Sequence, residues 1–265
     1  MKSVLSIIVL AGVAASANAQ TIPAANGTIT DGDTVFTIGS NLGGSTGNGP
    51  ASTLSVTGPG GISHSAAAWW WVRVDGVDTR ENTVYAPTAV VSNPAGNQLR
   101  VSYNYTGFTL TLIFSVAGYE NGFGALTQTA TLRNTSGRNQ TFNLFNYMNV
   151  NVNNTPNSNV ATVTGPNTVE FSDLGTTATY EASNAIRVDA ANNVLGLLTN
   201  AGVDNLTGGV INSGPADLEV GAQFQFNLNN NGVQTESTTL TIIPTPGAAA
   251  LLGLGGLAAF RRRRA

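Results

Sequence analysis

Residues 99–116 read LRVSYNYTGFTLTLIFSV. Val101, Tyr103 and Tyr105 alternate with polar residues, Thr106 and Gly107 interrupt the pattern, and Phe108, Leu110, Leu112 and Phe114 resume it. Side chains two apart share one face of a strand, so period two on both sides of a Gly turn predicts a hairpin with one buried face. Similar runs predict strands over 125–133, 140–152, 169–171, 177–181, 222–228 and 237–243. Clusters of Asn, Gly, Ser and Pro separate them, as turns require. A helical turn is predicted only within 190–198. Residues 39–61 read as a Gly/Ser/Pro-rich loop crossed by a short strand at 54–56. Evenly spaced strands with no long amphipathic helix predict an all-β fold, an antiparallel β-sandwich or related barrel.

Both ends of the chain depart from this pattern. The first twenty residues, MKSVLSIIVLAGVAASANAQ, place Lys2 before an apolar stretch and end in Ala17-Asn18-Ala19. That order is a secretory signal peptide with a small-x-small cleavage site at Ala17 and Ala19. Residues 244–265, PTPGAAALLGLGGLAAFRRRRA, run from a Pro break into an uncharged apolar stretch and then into Arg261, Arg262, Arg263 and Arg264. As a helix, 248–260 would be roughly 20 Å long, against about 30 Å of hydrocarbon. Arginine snorkelling and local bilayer thinning narrow that gap, and the arginines stay on the cytoplasmic side. The reading is therefore a signal helix at 1–19, a β-sandwich passenger at 20–243 and a transmembrane helix within 244–265.

This tail resembles the PEP-CTERM sorting signal of bacterial surface and exopolysaccharide-associated proteins. The matching pieces are Pro244, Thr245, Pro246 and Gly247, the Gly/Ala/Leu run up to Phe260, and the arginine cluster. The middle residue of the common motif is Glu, and here it is Thr245. The resemblance implies that an exosortase-type membrane protease recognises 244–247 and releases or re-attaches the passenger.

Composition sharpens the picture. Of eleven basic residues, Lys2 and the four C-terminal arginines belong to the terminal segments, leaving six against fourteen acidic ones. An acidic passenger argues against nucleic acid as a partner, because that binding relies on Lys and Arg at phosphates. The chain has no cysteine, so no disulfide supports this exported domain. About 225 residues between the two signals suffice for a core of their own.

Several clusters are candidate sites. Trp69, Trp70 and Trp71 are the chain's only tryptophans, and Arg73 follows them. On a strand Trp70 points one way and Trp69 and Trp71 the other. An exposed indole would be a platform for a sugar ring, and the competing reading is a set of core rings with Arg73 stacked on one. Asp75, Asp78 and Glu81 in DGVDTRE read as a solvated turn, a weak Ca²⁺ loop (Asp75, Asp78) or, least of all, an acid–base pair. Asp31 and Asp33 make a second acidic turn. Asn149, Asn151, Asn153 and Asn154 are a polar stripe that could meet sugar hydroxyls or only solvent. His64, the single histidine, has Ser63 and Ser65 beside it, but there is no GxSxG elbow and no second His or Cys for zinc. No cofactor or metal is implied. The expected function is that of a non-enzymatic, exported structural protein of the cell envelope or exopolysaccharide. It would be held at the membrane through its C-terminal segment. The alternative is a carbohydrate-binding module that uses the Trp69 to Trp71 face on polysaccharide.

Overall fold

The computed structural model describes residues 27–39, 52–56, 61–85, 89–119, 123–209 and 215–244. The cleavage-site residues Ala17 and Ala19 lie outside the described residues, as do Thr245, Pro246, Gly247 and Arg261 to Arg264. Among the described residues no helix is long and apolar enough to cross a membrane.

The chain begins with β1 (Gly27–Asp31), β2 (Thr34–Ile38) and β3 (Ser52–Ser55), followed by β4 (Ser65–Val74) and the two-residue β5 (Asn82–Thr83). Next come β6 (Val90–Ala95), β7 (Gln98–Tyr105), β8 (Phe108–Tyr119), β9 (Phe123–Asn134) and β10 (Gln140–Val150). The remainder is β11 (Val160–Gly165), β12 (Thr168–Asp173), β13 (Thr176–Glu181), β14 (Arg187–Ala191), the short helix α1 (Val194–Thr199), β15 (Leu218–Leu228) and β16 (Val233–Pro244). They form three antiparallel sheets. The largest has the order β11-β12-β13-β16-β9-β8-β7-β6, the second β14-β15-β10-β4-β5, and the smallest β1-β2-β3.

The predicted hairpin is present as β7 and β8, with Gly107 at φ 93° in its turn. Alternate residues of β8 and β9, from Phe108, Leu110, Leu112 and Phe114 to Leu126, Ala130 and Leu132, are buried. The opposite face of this sheet is hydroxyl-rich. Thr127 pairs with Thr239 at 3.1 Å, Thr129 with Ser237 at 2.9 Å and Thr131 with Thr235 at 3.0 Å. Such cross-strand pairs each add a few tenths of a kcal/mol or more.

The five-stranded sheet packs on the buried face of the eight-stranded one. Phe142 of β10 meets Phe108 of β8 edge-on at 5.6 Å. Asn146 of β10, fully buried, accepts from Tyr180 Oη at 2.8 Å and Thr238 Oγ1 at 3.1 Å, a polar tie between the layers. Burial pushes the Tyr180 phenol far above its ordinary pKa, so it stays a donor. The three-stranded sheet lies against the ends of β8 and β9. A Cβ on Gly118 would stand 1.8 Å from the Asp31 carbonyl oxygen, and one on Gly124 2.2 Å from Thr34 Oγ1. Only glycine permits that approach.

The short strand expected at 54–56 lies at 52–55, those expected from 222 and 237 start at Leu218 and Val233, and two further segments change type at an end. The strand expected to reach 152 ends at Val150, and Val152–Asn154 forms a 3-10 turn. The helical turn expected within 190–198 begins only at Val194, because β14 claims Ala190 and Ala191.

Candidate functional site

The tryptophans do not form a surface platform. Trp69, Trp70 and Trp71 are 1%, 0% and 0% exposed, so the sugar-stacking reading of Trp69, Trp70, Trp71 and Arg73 is corrected. The reason is that both faces of β4 are covered. Trp70 shares a register row with Asn146, on the face turned to the large sheet, and stacks with Phe224 at 6.0 Å. On the other face Trp71 meets Tyr147 edge-on at 5.7 Å. That side is roofed by α1 and the segment after it. A Cβ on Gly221 would touch Val194 and Leu206 there. Trp69 donates Nε1 to the Val84 carbonyl at 2.9 Å and stacks on Phe114 of the facing sheet at 5.8 Å.

Arg73 is buried as well and holds the roof down. Its Nη1 donates to Glu81 Oε1 at 2.5 Å and to the Asp204 carbonyl at 2.6 Å, and Nη2 donates to Asn205 Oδ1 at 2.9 Å. Its Nε reaches Asp75 Oδ1 at 3.2 Å, and the guanidinium lies 5.5 Å from the Phe145 ring centroid. Gln223 continues the network, accepting from Leu206 N at 3.0 Å and donating to Asn143 and Asn205. Asp189 accepts from the backbone of Thr207, Gly208 and Gly209.

The carboxylates of the acidic turn hydrogen-bond within the fold. Asp75 accepts from Arg73 and from Asn143 Nδ2 at 2.8 Å. Asp78 Oδ2 accepts from Val74 N at 2.6 Å. Among the described residues no group of three or more His, Cys, Asp or Glu is placed to hold a metal ion. Asp31 likewise accepts from Gly118 N at 3.0 Å.

His64 is buried, and its Nδ1 accepts from Asn153 N at 3.2 Å. Loss of hydration lowers its pKa to about 4, so it is neutral at ordinary pH. The Ser63 hydroxyl donates to the Ser65 carbonyl at 2.7 Å rather than to the imidazole, so no nucleophile–base pair forms here. In the Asn stripe, Asn151 is buried and Asn153 Nδ2 donates to the Asp173 carbonyl at 2.9 Å. Both are used by the fold.

An open cleft of about 440 Å³ lies where three turns meet at one end of the sandwich. Phe108, Phe142, Val74 and Val77 form its apolar part, and Thr106, Thr135, Ser136, Arg138 and Gln140 its polar rim. The rim is braced. Gln140 Nε2 donates to the Asp75 carbonyl at 2.7 Å, and Ser136 N to Asn134 Oδ1 at 2.9 Å. Asn134, fully buried, ties this turn to the next by donating to the Leu228 carbonyl at 2.9 Å. The exposed Arg138 is the only charged residue in the lining. A ligand here would find aromatic edges, hydroxyls, an amide and one guanidinium. These residues come from turns far apart in sequence, and the sequence reading did not single them out.

No family model matches the chain, and no curated protein matches it. Among solved structures it is similar to a bacterial glucoamylase complexed with acarbose, with TM-score 0.53 and 12% identity. That match covers 90% of this chain and 34% of the glucoamylase chain. A polysaccharide lyase is also similar, with TM-score 0.46 and 9% identity over 82% of this chain and 33% of that one. The chain thus spans about a third of the length of either. At such identity the glucoamylase likeness defines a class of fold, the layered antiparallel sandwich.

Proposed function

We propose that this is an exported structural protein of the cell envelope or exopolysaccharide, a β-sandwich passenger sorted by its C-terminal segment and not an enzyme. The observation that carries the reading is the order of segments along the chain. A basic start, an apolar run and Ala17-x-Ala19 precede the passenger. Pro244, Thr245, Pro246, Gly247, a second apolar run and Arg261 to Arg264 follow it. The last strand of the sandwich ends on Pro244, so the folded passenger leads directly into the motif. An exosortase-type protease is the processing partner. A fold shared with a glucoamylase is compatible with a carbohydrate-associated role.

Polysaccharide contact is the second reading, favoured by one observation. The cleft at Arg138 and Gln140 pairs an aromatic floor with hydroxyl and amide groups, which suits a sugar better than the buried Trp69 to Trp71 do.

Intact mass of the protein recovered from membrane, envelope and medium fractions tests the main reading. Species beginning near Gln20 and ending near Pro246 are expected outside the membrane. A single membrane-bound species that retains Arg261 to Arg264 would overturn processing and leave a simple anchored protein.

A further inference from the structure

We propose that the end of the sandwich at which β16 finishes is a membrane-docking face, with Leu174 as its apolar tip and Tyr119 and Ile243 beside it. The inference rests on insertion of the apolar run at 248–260, as read above. Leu174 is 83% exposed, the most exposed large apolar side chain among the described residues, and Tyr119 and Ile243 are 58% and 36% exposed. Leu174 and Gly175 form the two-residue turn between β12 and β13. Thr176, the next residue, pairs with Pro244. On the other side of β16, β9 and β8 end in the Phe123–Tyr119 pair. The three apolar side chains therefore surround the point where the chain leaves the sheet.

Leu174 is also the wrong residue for its turn. Its φ of 43° and that of Gly175 at 81° are both left-handed, a combination that favours Asn-Gly. A branched apolar residue there is sterically unfavourable, and folding gains nothing from it because it points into solvent. A bilayer supplies the missing burial.

Chain length brings the bilayer within reach. Four Cα-to-Cα steps join Pro244 to Ala248, which spans at most about 14 Å. With 248–260 in hydrocarbon, this end of the sandwich lies close above a headgroup layer about 5–8 Å thick. The nearby charges are carboxylates: Asp173 directly precedes Leu174, and Asp31 accepts from Gly118. The face therefore suits neutral lipid and not an anionic surface. Docking would also aim the Arg138 cleft away from the membrane, about 40 Å off, the length of the twelve-residue β16.

The absence of cysteine in the full chain makes the test direct. Single-cysteine variants Leu174→Cys and Asn139→Cys, the latter at the opposite end, are nitroxide-labelled and reconstituted into phosphatidylcholine vesicles. Flotation reports insertion of the tail, and the accessibility of each label to oxygen and to a water-soluble nickel chelate reports its depth. The label at 174 should favour oxygen and the label at 139 the chelate. Leu174→Asn, which suits the turn, should lower the docked fraction read by a label at Tyr119→Cys about tenfold. Flotation with both labels equally aqueous would overturn the docking face while leaving the anchor intact. Failure to float would overturn the insertion reading, and the docking face with it.

Discussion

Removing the Arg73 guanidinium should cost more than any other single polar change in this fold. In Arg73→Met the stem is kept and the charge is lost. Glu81, whose side chain is 0% exposed, then keeps a buried carboxylate without its cation. The Asp204 carbonyl also loses this donor and Asn205 Oδ1 keeps only the one from Gln223, so the roof over Trp71 and Phe145 is loosened. Breaking a buried pair by deleting one partner costs about 3–5 kcal/mol, whereas replacing both partners with apolar groups is often close to neutral. The structure therefore predicts an ordering. Arg73→Met alone should lower the unfolding free energy by about 4 kcal/mol, and Arg73→Met with Glu81→Leu should recover at least half of that loss. Urea unfolding followed by tryptophan emission measures both, because all three indoles lie in or against the sheet that Arg73 joins. Equal m-values would show that the denatured states are comparable. A single variant within about 1 kcal/mol of the parent would refute the reasoning, since that is the worth of a solvated surface pair. A double variant no better than the single would do the same.

Three further outcomes follow from the same packing. His64 has an ordinary pKa near 6.5 when unfolded and about 4 when folded, so the fold favours its neutral form. Its contribution is complete above about pH 6.5 and declines as pH falls towards 4, by about 3 kcal/mol in all. The stability difference between the parent and His64→Gln should shrink by that amount between pH 7 and 4, and a pH-independent difference would contradict it. Native tryptophan emission should resist iodide quenching and stay unchanged on adding polysaccharide, while Trp70→Ala should cost about 3–5 kcal/mol in urea unfolding. Strong quenching in the folded protein would contradict the burial of Trp69 to Trp71. Gly118→Ala should lower the Tm by about 6–12 °C, corresponding to about 3 kcal/mol of overpacking against Asp31. An unchanged Tm would mean that the small sheet does not lie where it is described.

Short-range pattern determined the strands whose two faces meet different surroundings. In 99–116 one face meets the core and the other solvent, so alternation and a Gly turn were enough to place β7 and β8. The terminal segments are read from their order along the chain alone. Tertiary structure decided the rest. β4 reads SAAAWWWVRV, without alternation, because the large sheet covers one face and α1 with residues 200–209 the other. No local pattern could say that the second face of a two-layer sheet would be roofed, so sequence left Trp69 to Trp71 open between platform and core. Glu81 read as part of a solvated turn and Arg73 as a companion of the tryptophans, and only the fold brings Asp204 and Asn205 to Arg73 from more than a hundred residues away. The Arg138 cleft and the apolar rim of Leu174, Tyr119 and Ile243 exist only where separate turns converge. Leu174 apart, each residue there is ordinary in its own stretch of chain, and only the strand order brings them together.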